Sequence, residues 1–264
     1  MFPPDLPPVS NKALYAYRVF IKWFSFFIFG FCSIIFGSLT LPFMRLIFHP
    51  KKRFQKYGRR FISGALRFFI FIMHSLGIVN LEVDNREKYR NLSSKIVVAN
   101  HPSLLDVVML LALMPNADCI VNASLNNGIL RGIIRQLFIL NSLDLEELFK
   151  MCDESLKYGN CIVIFPEGTR TPRNGKVILK KGAVRIAITC GCNIVPLHIG
   201  GTDKYGLGKK DPWLGFNPNE RYIYRISMGD EINPEKYRDL STPAMVRAIT
   251  TEIGAFLFPE KRTV

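Results

Sequence analysis

Two short β-branched runs, each broken off by a polar cluster, constrain this chain more than any other feature. Lys95-Ile96-Val97-Val98-Ala99 leads into Asn100-His101-Pro102-Ser103-Leu104-Leu105-Asp106. Cys161-Ile162-Val163-Ile164 leads into Phe165-Pro166-Glu167-Gly168-Thr169-Arg170. Runs that are apolar on both faces of the pleat read as strands covered on both sides, the habit of parallel sheets. In an open parallel α/β sheet, functional groups collect in the crevice beyond the carboxyl ends of the strands. Two polar clusters at two such ends, with helix-like sequence between them, therefore point into one site. One offers a histidine with an aspartate further along the same segment. The other offers a glycine turn flanked by a carboxylate and an arginine. The expectation is a proton-transfer pair facing an anion-binding turn.

These residues also carry a resemblance. His101 and Asp106 match the HxxxxD motif, and Phe165 to Arg170 match the FPEGTR motif, of the glycerolipid acyltransferases. The likeness is strongest to the 1-acyl-sn-glycerol-3-phosphate (lysophosphatidic acid) acyltransferases. Leu179-Lys180-Lys181-Gly182-Ala183 and Ile194-Val195-Pro196-Leu197 resemble later blocks of that family, in order, so the likeness runs from Ile96 to Ile199. It implies transfer of an acyl group from a thioester to a lipid hydroxyl. His101 and Asp106 would be catalytic. Phe165, Glu167, Gly168, Thr169, Arg170, Arg135 and Lys180 would form the substrate-binding set. The donor implied is acyl-CoA or acyl-[acyl carrier protein], a substrate and not a bound cofactor. One block departs from the pattern. Gly132 and Arg135 sit where a glycine and a basic residue are expected, but Leu140 to Asp144 lacks the family's terminal arginine, and Asn122 stands near a common lysine. The departure bears on the acceptor more than on the reaction.

The chemistry can be argued from the side chains themselves. A hydroxyl attacking a thioester must lose its proton, and a positioned histidine is the natural base near neutral pH. Asp106 can accept from the far ring nitrogen, fixing the tautomer and stabilising the imidazolium, as the carboxylate of a catalytic triad does. Taken alone, Asp106 equally suits helix capping. Ser103 lacks a GxSxG elbow, so the nucleophile is assigned to the substrate. Gly168 lets a backbone approach an anion, and Arg170 is a forked phosphate donor. Glu167 can reach the acceptor hydroxyl or orient Arg170, and Thr169 can cap or touch phosphate. Without the motif, Glu167 and Arg170 would read as a structural ion pair, and Lys180 and Lys181 as solvated lysines. No third ligand accompanies His101 and Asp106, so no metal site is expected.

The chain of 264 residues has room for one α/β domain and an appendage. Its 48% hydrophobic content is concentrated near the N-terminus, where Trp23 to Met44 carries no charge. Such a helix reaches about 30 Å, long enough to cross a bilayer. It reads as an uncleaved transmembrane anchor, with a re-entrant helix broken at Gly30, Gly37 or Pro42 as the rival and a buried core helix behind both. Phe61 to Leu81 is interrupted by Arg67 and His74 and reads as an amphipathic helix in the interface. Between them lies the basic run Lys51 to Arg60, which by the positive-inside rule puts the catalytic domain on the cytoplasmic face.

The net charge of +14 raises nucleic-acid binding, but the densest basic run adjoins the apolar segment. The expected partners are a lipid bilayer, a lysophospholipid acceptor and the acyl donor, with no nucleic acid. The six cysteines form no metal-like or CxxC grouping. The expected fold is α/β: a mixed, largely parallel sheet flanked by helices, with an N-terminal apolar membrane-anchoring helical segment. Residues 1–10 are expected to be disordered, 11–80 to anchor, and 81–264 to form the acyltransferase domain. Helices are expected over 104–114, 129–140, 145–158, 182–190 and within 234–257, and Gly200 to Glu220 is expected to be a long loop. An acceptor other than lysophosphatidic acid, such as another lipid alcohol or a glycolipid, remains open. So does a non-catalytic membrane-binding protein on the same fold.

Overall fold

The computed structural model describes residues 6–141, 144–174 and 176–259. Residues 1–5 of the expected disordered segment, and Ser142 and Leu143 of the middle block, lie outside the described residues. From residue 8 onward the chain is already engaged: the Ser10 amide and hydroxyl donate to Asn219 Oδ1, and Asn219 Nδ2 donates to Pro8 O.

Seven strands form one sheet: β1 (Val79–Val83), β2 (Ile96–Ala99), β3 (Ala117–Val121), β4 (Ile139–Leu140), β5 (Cys161–Ile164), β6 (Ile194–Gly201) and β7 (Tyr222–Met228). Their order is β1-β7-β6-β2-β5-β3-β4, and only the β6/β7 pair is antiparallel. The sheet is mixed and largely parallel, as expected. β2 lies between β5 and β6, so the segments leaving those carboxyl ends converge on the residues after Ala99. Both faces are buried. Val97 and Ala99 of β2 join a core formed with α3 (Lys51–Ser75) and α5 (Asp106–Leu113). Ile96 and Val98 join a second core with α7 (Leu145–Lys157), α8 (Gly182–Cys190) and α9 (Thr242–Leu257). This two-sided burial explains why β2 reads as a continuous apolar run rather than an alternating one.

Several boundaries differ from the sequence expectation. The sheet begins at Val79, ahead of the expected boundary at Leu81, because Val79 pairs with Tyr222 of β7. The helix expected over 129–140 is shorter: α6 (Arg131–Leu137) ends where Phe138 turns extended, and Ile139 and Leu140 add an edge strand to β3. The helix expected from Leu104 starts instead at Asp106, with Leu105 at its N-cap.

The N-terminal region is a helical hairpin. α1 (Lys12–Ile35), a π-helical turn at Phe36–Thr40 and α2 (Leu41–Ile47) form one rod, and α3 follows it. The rod meets α6 backbone to backbone. A Cβ on Gly132 would lie 2.9 Å from Gly37 O, so both glycines are required by the approach. Within the basic run, Lys51, Lys52, Arg53, Lys56 and Arg60 are exposed, but Arg59 is buried against Asp118 of β3 at 2.6 Å. Asp118 also accepts from Ser155 of α7 at 2.8 Å, so this pair ties the hairpin to both the sheet and its far layer.

Candidate active site

The chain leaving β2 is fixed before it reaches the histidine. The Asn100 side chain bridges to Ile199 of β6, donating to its carbonyl at 3.0 Å and accepting from its amide at 2.6 Å. The backbone of His101 is then held by the loop after β5. Its amide donates to Glu167 Oε1 at 2.9 Å and to Thr171 Oγ1 at 3.3 Å, and its carbonyl accepts from the Thr171 amide at 2.7 Å. Thr171 Oγ1 donates to Glu167 Oε1 at 2.7 Å. Glu167 therefore grips the histidine segment; of its two expected roles, reaching the acceptor hydroxyl or orienting Arg170, the second is not seen among the described residues, where Arg170 bonds Leu207 O and Gly208 O. Its Oε2 is buried with no partner among the described residues. Burial raises the Glu167 pKa, opposed by the hydrogen bonds from Thr171 and the His101 amide.

The His101 ring lies 2.7 Å from Asp106 through Nδ1, and stacks on Phe165 with centroids 4.2 Å apart. Asp106 is fully buried. Its Oδ2 also accepts the Ser103 amide at 2.7 Å, and its Oδ1 accepts the Ser103 hydroxyl at 2.6 Å. Ser103 Oγ meets Tyr224 OH of β7 at 2.7 Å. Since a carboxylate only accepts, the Ser103 proton is committed to Asp106, and the tyrosine donates to the serine. Ser103 thus supports the aspartate, and Asp106 accepts the Ser103 amide as a capping carboxylate does. With Nδ1–H bonded to Asp106, His101 keeps its Nε2 lone pair for chemistry.

Behind this cluster sits Lys204, nearly buried. Its Nζ bonds the carbonyls of Gly200, at 3.1 Å, and Thr202, and lies 4.9 Å from the Tyr224 ring centroid. Burial pulls its pKa down to about 8, with nearby Asp106 and Asp203 opposing.

On the opposite side, Gly168 makes a left-handed turn (φ 65) closed by its amide onto Phe165 O at 3.0 Å. Lys180 folds over it: a Cβ at Gly168 would fall 2.6 Å from Lys180 Nζ. Thr169 is exposed at the turn. Arg170 uses Nη1 to donate to Leu207 O and Gly208 O, both at 2.9 Å. The structure thus brings His101, Asp106, Phe165, Glu167, Gly168 and Lys180 together. Arg135 stands apart from them. It lines a groove of about 400 Å³ between the rod and α6, together with Ser33, Gly37, Arg131, Gly132 and Gln136. Asn100, Thr171, Tyr224 and Lys204 had not been singled out from sequence. Only Asn100 carried a local signal, its place directly before the histidine.

A family model described as Acyltransferase matches residues 80–200, which hold both motifs. The chloroplastic 1-acyl-sn-glycerol-3-phosphate acyltransferase LPAT1 of Arabidopsis thaliana is 29% identical over 188 residues, 66% of this chain and 51% of its own. The probable 1-acyl-sn-glycerol-3-phosphate acyltransferase of Mycoplasma genitalium is 22% identical over 250 residues, 90% of each chain. The matched segment, residues 80–200, is an acyltransferase domain related to the 1-acyl-sn-glycerol-3-phosphate acyltransferases. It spans about half the length of the plant relatives LPAT1 and BAT2 that it matches. The crystal structure of the 1-acyl-sn-glycerophosphate (LPA) acyltransferase PlsC from Thermotoga maritima superposes with a TM-score of 0.69 at 20% identity, covering 94% of this chain and 99% of that one. The acyltransferase fold is therefore shared over nearly the whole chain, including the hairpin. Tyr224 and Lys204 lie beyond the family-matched residues, although they back the family's aspartate.

Proposed function

We propose that the protein transfers a fatty acyl group from an acyl thioester to the free hydroxyl of 1-acyl-glycerol-3-phosphate, giving phosphatidic acid. The observation that carries this reading is the buried Asp106 holding His101 by Nδ1 at 2.7 Å. His101 Nε2 takes the proton of the acceptor hydroxyl as its oxygen attacks the thioester carbonyl. The imidazolium, stabilised by Asp106, returns that proton to the departing thiol. The C–O bond forms and the C–S bond breaks with no group left on the enzyme. Phe165 supports the ring from its face, and Glu167 fixes the backbone from which the ring projects. Lys180, over the Gly168 turn, and the remaining donors of Arg170 form the cationic side of the site, suited to the acceptor phosphate. Acyl-CoA and acyl-[acyl carrier protein] both meet the donor requirement.

The hairpin supplies the route for lipid substrates. Phe20, Phe27, Phe31, Leu39 and Phe43 are exposed along the rod. Contacts at Tyr15, Lys22 and Gly37 hold the same rod to the domain. By length and composition the rod is able to cross a bilayer, and it is read as the anchor that holds the domain at the membrane surface, with the exposed basic residues of α3 toward the cytoplasmic side.

A second acceptor class is favoured by one observation: Arg135 lines a groove of its own, leaving fewer cations at the turn than the family pattern supplies. The test is acyl transfer in mixed micelles with labelled acyl-CoA and acyl-[acyl carrier protein], offering lysophosphatidic acid and phosphate-free lipid alcohols side by side. Phosphatidic acid as the dominant product supports the proposal. Acylation of the phosphate-free alcohol alone replaces the acceptor. No product with any acceptor rejects the enzymatic reading.

A further inference from the structure

The loop between β6 and β7 carries an apolar tip that none of the chemistry above uses. Trp213 is 76% and Leu214 69% exposed, at the end of Lys209-Lys210-Asp211-Pro212-Trp213-Leu214. The tip is built, not loose. Trp213 stacks on Trp23 of α1 with centroids 5.6 Å apart and planes 17° from parallel. Lys22 donates to the carbonyls of Trp213, at 2.8 Å, and Gly215, at 2.6 Å, and Tyr15 OH donates to Leu214 O at 3.3 Å. At the neck, a Cβ on Gly206 would fall 1.9 Å from Gly215 O, so the two arms of the loop touch backbone to backbone. A tryptophan and a leucine held in water by this many contacts are presented to something.

The surroundings identify what. Tyr17, Phe20 and Phe24 are exposed on α1, the helix that holds the tip through Tyr15, Lys22 and Trp23. Lys209 and Lys210 are exposed directly before the tip, and the backbone reverses at Lys210 in the left-handed region (φ 63). An aromatic and an aliphatic side chain flanked by lysines suit the headgroup level of an anionic bilayer, where tryptophan's amphipathic ring is favoured and basic residues are attracted.

The root of the same loop reaches the reaction site. Leu207 O accepts from the Leu104 amide at 3.0 Å and, with Gly208 O, from Arg170. Asp211 accepts from the Gly206 and Gly208 amides, both at 2.9 Å. Arg173 forks between Asp211 and Asp203. We infer that Trp213 and Leu214 insert into the surface of an anionic phospholipid bilayer as a second anchor, and that the loop thereby holds Arg170 and Leu104 in place when the enzyme is on the membrane. The inference rests on the membrane-surface part of the proposed function, and goes beyond it by assigning a contact outside the hairpin.

The chain has two tryptophans, so Trp23→Phe leaves Trp213 as the only one and keeps an aromatic ring beneath it. Its emission would be recorded on phosphatidylcholine vesicles with and without phosphatidylglycerol, using lipids brominated at shallow and deep positions, while flotation reports binding. The expected result is a blue shift and stronger quenching by the shallow bromines on the anionic vesicles. Leu214→Asp should reduce vesicle partitioning about tenfold with an unchanged melting temperature. Unquenched Trp213 in protein that floats with the vesicles overturns the inference. So does a concentration-dependent blue shift without vesicles, which would assign the tip to a second copy of the chain. Acyl transfer is measured separately in mixed micelles. Quenching without transfer removes the proposed reaction and leaves this contact standing; transfer without quenching does the reverse.

Discussion

The cluster around His101 and the outer face of the N-terminal rod differ in almost every physical respect. In the cluster, His101, Asp106, Ser103, Tyr224, Glu167 and Thr171 are linked by hydrogen bonds of 2.6–3.3 Å, and Asp106 and Ser103 are fully buried. Each group is there to place another, and a substitution leaves its partner stranded in a low-dielectric site. Along the rod, Phe20, Phe27, Phe31 and Phe43 face outward, and any one contributes area rather than geometry. The contrast teaches that this fold separates directional chemistry, concentrated at the carboxyl edge of β2, from non-directional adhesion spread over the hairpin. The two are joined by specific contacts, among them Gly37 against Gly132, Arg59 against Asp118, and Lys22 and Trp23 against the loop at Trp213.

The sharpest way to break the comparison is Asp106→Asn. An amide cannot accept from His101, the Ser103 amide and the Ser103 hydroxyl together, and it favours the wrong tautomer. Turnover should fall by about 10³–10⁴-fold in a steady-state acyl-transfer assay, with vesicle binding unaltered. Next in size is Arg59→Ala, which leaves Asp118 buried with Ser155 as its remaining side-chain partner. It should cost about 3–5 kcal/mol in chemical unfolding, a larger loss than an exposed position in α3 such as Phe68 would show. Gly132→Ala puts a methyl 2.9 Å from Gly37 O and 3.0 Å from Gly37 Cα, backbone atoms that cannot swing aside. A loss of about 1–3 kcal/mol is expected, read as a lowered melting temperature.

The smallest effect is the most specific. Burial raises the Glu167 pKa above its ordinary 4.5. A carboxyl with a raised folded-state pKa supports the fold fully below the ordinary value, and that support is lost as pH rises toward the folded value. Glu167→Gln keeps an acceptor for His101 and Thr171 and never ionises. Its unfolding free energy should match the wild type near pH 4 and exceed it as pH rises, by about 1 kcal/mol at neutral pH. A gap that is constant with pH would show that Glu167 is not strained by its charge.

Much of the chemical edge was legible in the sequence because it is local. The apolar runs of β2 and β5 end in the polar motifs, and α8 spans Gly182–Cys190 as its apolar spacing and closing glycine predict. What escaped depends on partners distant in the chain. Tyr224 reads as one of many strand tyrosines until β7 folds back antiparallel to β6 and brings its hydroxyl under Ser103. Arg59 reads as one more cation in a basic run, because nothing in that run announces Asp118. The expected helix over 129–140 failed at Ile139 for a tertiary reason: an open sheet edge beside β3 outcompetes local helical periodicity. Glu167 is legible as a site residue, but its grip on the His101 amide is not, since that reach needs two strand ends side by side.

The separation of chemistry from adhesion is tested most directly by His101→Ala on anionic vesicles, with bound fraction and phosphatidic acid formation measured in the same samples. The expected result is wild-type binding with product formation reduced about 10²–10⁴-fold. A variant that binds as well and still transfers acyl groups at near the wild-type rate would contradict the assignment of His101 as the base. The account built on it would fall with it.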